Sequence, residues 1–179
     1  MRSYITIIFL TFLMLLVLFV EDISQINSSV TKEIIVEQMN LDGHTIMVEE
    51  KIKLLEKEKE MIAKVVYREA RGCSKQHQAA VVWVILNRVD VKGYGNTIEE
   101  VITRPNQFAW IPDTPVLDEH LELAEDVLKR WLLEKTGVKE VGRVLPSDYL
   151  FFAASNGQNY FRQNFDSNTY WNWSLKNPY

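Results

Sequence analysis

Residues 78–89 read QAAVVWVILNRV. Apolar side chains run nearly all the way round a helical period here, so this segment reads as the buried central helix of a small domain. Ser74 stands ahead of it as an N-cap, and residues 92–96, KGYGN, break the chain behind it.

Working outward from that helix, the chain stays mainly α. On the N-terminal side, from Val48 to Gly72, Ile52, Leu55, Ile62 and Val65 or Val66 fall three, four or seven residues apart. They mark one face of a helix. The charges of EEKIKLLEKEKE (49–60) cover the other face as a solvated surface, and Gly72 is a suitable stop. On the C-terminal side, Thr97 and Glu100 form a capping box that opens a short helix from Ile98 to Thr103, ended before Pro105. Leu117, Leu121, Ala124, Val127 or Leu128, and Trp131 then line a third long helix. Half of the chain's Phe, Tyr and Trp lie between Tyr149 and Tyr179, interleaved with Asn, Gln and Ser. Asn and Gly interrupt every run there, which predicts short strands or loops. A compact helical domain is therefore expected over 46–179, closed by aromatic-rich C-terminal loops or short strands.

Two further segments precede it. Tyr4 to Val20, YITIIFLTFLMLLVLFV, carries no charge and is about the shortest run that spans a bilayer. Arg2 before it, with Glu21 and Asp22 after it, predicts an N-terminal transmembrane helix in 1–20 with the rest of the chain outside. A cleaved signal peptide is the alternative, although Phe19, Val20, Glu21 and Asp22 lack the small residues of a cleavage site. Both readings export the chain. Residues 21–45 are polar and without a sustained period, as in a stalk.

Composition narrows the function. The single cysteine, Cys73, excludes an intrachain disulfide. A net charge of −4 and the lack of a basic stripe exclude nucleic acid as the partner. His44, His77 and His120 show no metal-ligand spacing, so neither metal nor cofactor is expected.

The carboxylate that stands out is Glu69, in VVYREARG (65–72). Its period puts it on the face of Ile62 and Val66, at the edge of the core. Burial and the negative end of the helix dipole both favour a protonated carboxyl, the state a general acid starts from. Arg68 and Arg71 oppose this if they fold back on it. A buried glutamate paired with an arginine is the alternative.

VVYREARG, then QAAVVWVILNRV, then NTIEEVITRPNQFAW (96–110) follow one another at short spacing. In that order they resemble the catalytic domain of the spore cortex-lytic enzymes, the cell-wall hydrolases. Those domains carry an aromatic-x-Glu-Ala-Arg-Gly segment, an AVAxVxLNRV-like helix and a TIxxVIxxPxQF segment. The resemblance runs from about Ile62 to Trp110 and more loosely to Phe165. After Trp110 the chain departs from the family's pattern, with FFAASNGQNYFR (151–162) where the family's tail is rich in Tyr-Tyr and Trp-x-Trp. The resemblance implies an α+β, lysozyme-like or lytic-transglycosylase-like fold, cleavage of peptidoglycan glycan strands, and Glu69 as the general acid.

A hydrolase normally needs a second carboxylate. Glu99, Glu100, Asp113 and Asp166 are available, but the first two fit an ordinary helix start. A lone acid favours a lytic transglycosylase, in which the muramic acid 6-hydroxyl is the nucleophile. A glycan groove also needs flat apolar surfaces and side-chain amides. Gln107, Phe108 and Trp110 offer one such set, and Asn159, Tyr160 and Phe161, with Asn156, another. The alternative for each aromatic is a place in the core. Two other functions stay open: a wall-binding module without activity, and a peptidase using Cys73 at a helix start with His77 or His120.

Overall fold

The computed structural model describes residues 37–38 and 42–179. The expected anchor, and nearly all of the expected stalk, lie outside the described residues. Among the described residues no helix is long and apolar enough to cross a membrane. Ile46–Tyr179 forms one compact unit, mainly helical with one small sheet.

Its elements are α1 (residues 42–54, within the unit from 46 onward), α2 (Glu56–Ala70), α3 (Lys75–Asp90), α4 (Ile98–Thr103), α5 (Asp118–Lys135), β1 (Phe151–Ser155) and β2 (Gln158–Arg162). The central helix is α3, as its sequence requires: every residue from Ala79 to Arg88 is buried. Ser74 caps it by accepting the His77 N–H. Helices α2, α4 and α5 pack around α3, with α2 also lying against α4 and α5.

The long first helix expected from periodicity is divided. Leu55 leaves the helical geometry and separates α1 from α2, yet Val48 and Ile52 before the break and Met61 and Ile62 after it are all buried. No glycine or proline marks the spot, so the break belongs to packing and not to local chemistry. The buried face of α5 also differs from the expected stripe. His120, Leu123, Ala124, Val127, Leu128 and Leu132 turn inward, whereas Leu117, its N-cap, is exposed. Helix α4 starts as expected, with Thr97 Oγ1 accepting the Glu100 N–H at 3.1 Å. The Glu100 carboxylate reaches one residue further back than a capping box requires, to the Asn96 N–H. Gly95, at φ +152°, is needed beside it, because a Cβ would lie 2.9 Å from the Val101 nitrogen.

The expected short strands are present as one antiparallel hairpin, with Ser155 opposite Gln158 and Phe151 opposite Arg162. Its two-residue turn is Asn156-Gly157, both at positive φ, the geometry that this dipeptide favours in hairpins. Alternation along β2 buries Asn159 and Phe161 and leaves Tyr160 on the opposite face, against Tyr170. The tail then returns over the domain. The Trp171 indole donates to the Val144 carbonyl, Trp173 stacks on His77 at 4.4 Å, and the Tyr179 hydroxyl donates to Asp126.

Candidate active site

Glu69 occupies the last turn of α2, half-buried at the edge of the core. The last carbonyls of a helix have no partner within it, and here side chains from elsewhere supply two. Asn159 Nδ2 donates to the Glu69 carbonyl at 3.1 Å, and Gln78 Nε2 donates to the Ala70 carbonyl at 3.3 Å. Gly72 follows the helix but is not in the left-handed conformation of a glycine cap. The end of α2 is therefore held by α3 and by the hairpin.

The Glu69 side chain is oriented from a third direction. Its Oε1 accepts the Ala109 N–H at 2.7 Å, and among the described residues no hydrogen bond is made to Oε2. No ion pair joins Glu69 to Arg68 or Arg71 among the described residues. Arg71 instead lies over the Tyr67 ring, 5.0 Å from its centre.

The Ala109 amide is presented by two successive turns whose residues suit them. The Gln107 N–H bonds to the Arg104 carbonyl, with Pro105 and a positive-φ Asn106 between them, the pattern of a type II turn. The Trp110 N–H then bonds to the Phe108 carbonyl around Ala109.

Behind this loop lies Arg88, a residue that neither periodicity nor composition singled out. It is 6% exposed. Its Nη1 donates to Gln107 Oε1 at 2.7 Å and its Nε to the Leu150 carbonyl at 2.8 Å. Its guanidinium lies over Phe108, Tyr94 and Phe151 at 4.8, 5.4 and 5.5 Å. Burial pushes Arg88 down to about 10, against the opposing pull of Tyr94 and Glu69. Its neighbour Asn87 donates to the Pro146 and Tyr149 carbonyls and accepts from Arg143. The Asn-Arg pair of QAAVVWVILNRV thus clasps both the 104–110 loop and the segment leading into β1. The signal in the sequence was two polar residues, Asn87 and Arg88, inside the otherwise apolar run 79–89.

The expected contact residues divide accordingly. Phe108 and the half-buried Trp110 flank the Ala109 amide that meets Glu69. Gln107 has its side-chain oxygen on Arg88, and Asn159 is 3% exposed with its amide on α2. Phe161 is 1% exposed, enclosed by His77, Phe152 and Trp173, which leaves no ring face for a sugar. Tyr160 stands on the hairpin's far face. Of the other carboxylates, Glu99 pairs with Lys57 at 2.7 Å and Glu100 caps its helix. Asp113 and Asp166 lie exposed in loops.

The thiol and histidine chemistry is not assembled. Cys73 Sγ bonds to the Gly157 carbonyl at 3.6 Å, and burial pushes its thiol up, away from the reactive thiolate. His77 stacks on Trp173 and meets Phe161 edge-on, and His120 is fully buried in α5. Among the described residues no group of His, Cys, Asp and Glu could hold a metal ion.

Comparison with known proteins bears on the same region. No curated protein and no solved structure gave a match. The family described as Cell Wall Hydrolase matches residues 72–177. The match begins three residues after Glu69 and runs through the tail. The stretch expected to leave the family's pattern therefore lies within it, and it includes Trp171-Asn172-Trp173. With more than half of its length matched, the chain belongs to the cell wall hydrolase family, enzymes that act on peptidoglycan.

Proposed function

We propose that this protein cuts the glycan strands of peptidoglycan as a lytic transglycosylase, with Glu69 as its one acid and base, on a lysozyme-like framework. The observation that carries this reading is the state of the Glu69 carboxylate. One oxygen is held by the Ala109 amide and the other is left for a substrate, with no carboxylate among the described residues bonded into the site.

In the proposed reaction, Glu69 gives its proton to the glycosidic oxygen as the bond from muramic acid C1 breaks and positive charge develops at that carbon. The muramic acid 6-hydroxyl then closes on C1 and returns its proton to Glu69, forming the 1,6-anhydro ring. The leaving sugar ends in a hydroxyl and the enzyme is regenerated without a second acid. Phe108 and Trp110, beside the Ala109 amide, are the proposed sugar-stacking residues. Residues 4–20 would tether the domain to the membrane with the enzyme outside, which suits local wall remodelling.

Mass spectrometry of peptidoglycan treated with the full-length chain and with Glu69→Gln tests the proposal. Products ending in 1,6-anhydromuramic acid are expected, with a rate loss of about 10²–10⁴-fold in the variant. Reducing-end sugars would overturn the transglycosylase route. A fully active variant would remove Glu69 from the chemistry. Binding of glycan without any cleavage would leave a wall-binding module.

A further inference from the structure

Arg88 is a buried cation whose hydrogen bonds all go to neutral oxygens: the Leu150 carbonyl, the Gln107 carbonyl and Gln107 Oε1. Among the described residues no carboxylate touches it. A buried charge without a contacting counter-ion is costly, and packing alone would be served by an apolar side chain of similar length. Electrostatically, Tyr94 and then Glu69 pull in its favour, and of the two only Glu69 is a carboxylate. The loop it grips, two residues further along, delivers the amide that orients Glu69.

We propose that Arg88 is the positioning residue for the Glu69 carboxylate, acting through Gln107 to hold the 104–110 loop so that the Ala109 N–H meets Oε1. Its three aromatic neighbours fix the plane of the guanidinium, and its planar fork reaches Leu150 and Gln107 together, which a lysine could not reproduce. The hairpin base and the 104–110 loop are thereby set relative to each other by one side chain. The role rests on the reading of Glu69 as the acid. It adds the group that keeps that acid aimed, and a displacement of about 1 Å in such a group lowers turnover about 10²-fold.

The test uses Arg88→Met and, in case that change disturbs the core, Gln107→Leu in the half-buried loop. Two quantities are read from the full-length chain: kcat and KM on peptidoglycan, and the proton shift of the Ala109 amide by NMR in detergent. An amide bonded to a carboxylate at 2.7 Å resonates well downfield. The expected result in both variants is an upfield move of the Ala109 amide, with kcat reduced about 10²-fold and KM unchanged. An Ala109 amide that stays in place in folded variants overturns the proposal, as does a rise in KM at unchanged kcat. The two readings fail separately. An active Glu69→Gln protein removes the acid role, whereas the amide shift by itself decides whether Arg88 holds the loop.

Discussion

Asn159 Nδ2 donates to the main-chain carbonyl of Glu69 at 3.1 Å, joining residues 90 apart in sequence. This bond fastens the β-hairpin to the end of α2. The Cys73 thiol makes a second fastening at the hairpin's turn, to the Gly157 carbonyl. The two contacts belong to opposite ends of the chain's logic. One holds the candidate acid's own peptide unit, and the other holds the start of the central helix.

Removing the first fastening should be felt in both stability and turnover. Asn159→Ala leaves the Glu69 carbonyl unpaired at the half-buried end of α2, for a cost of about 1 kcal/mol. Urea unfolding measures that cost, and kcat is expected to fall with it because the last turn of α2 loosens. A variant with unchanged midpoint and unchanged kcat would show that the hairpin does not support the acid.

Removing the second fastening should spare the chemistry. The Cys73 thiol is pushed up by burial and its sulfur faces a carbonyl, not an imidazole. Cys73→Ala is expected to retain wall-degrading activity, and the native thiol should react slowly with iodoacetamide near neutral pH. Loss of activity on this change, with peptides released by the native enzyme, would restore the peptidase reading.

The fully buried His120 predicts how stability depends on pH. Among the described residues neither ring nitrogen has a hydrogen-bond partner; the ring meets the edge of Tyr67, and Glu119 Oε1 lies 3.8 Å from Nε2. Burial lowers its affinity for a proton, with Glu119 opposing. The unfolded chain therefore binds the proton more readily, and stability rises with pH in this range. The contribution is complete above the ordinary histidine value of about 6.5 and is lost as pH falls through the lowered one. His77, also lowered by burial, acts in the same direction. Urea midpoints should drop between about pH 7.5 and about pH 5.5, and His120→Leu should flatten the fall. An equally steep fall in His120→Leu would rule out His120 as its cause.

Much of the helical framework is legible in the sequence because its causes are local. QAAVVWVILNRV is buried all round because it has no polar face to offer water. Ser74 and Thr97 start their helices with hydroxyls that accept N–H groups three residues on. Glu69 reaches the core edge because it keeps step with Ile62 and Val66 on one helical face. The hairpin was partly legible too. Asn156-Gly157 is a strong turn signal, and reading it as one would have separated the inward Asn159 and Phe161 from the outward Tyr160.

Other features have no local cause. Leu55 breaks a helix without any residue that breaks helices, and α5 carries enough apolar side chains for more than one buried stripe, so the partner surfaces decided both. By itself, then, the sequence determined the central helix, the Ser74 and Thr97 caps and the family to which the chain belongs, and it singled out Glu69 as the candidate acid. Only the tertiary structure decided that Asn159 bonds to the Glu69 carbonyl, that Arg88 bonds to Gln107 two residues before the Ala109 amide, and that Phe161 is core. These hydrogen bonds join residues 19 to 90 apart, and a contact across a folded core leaves no period along the chain.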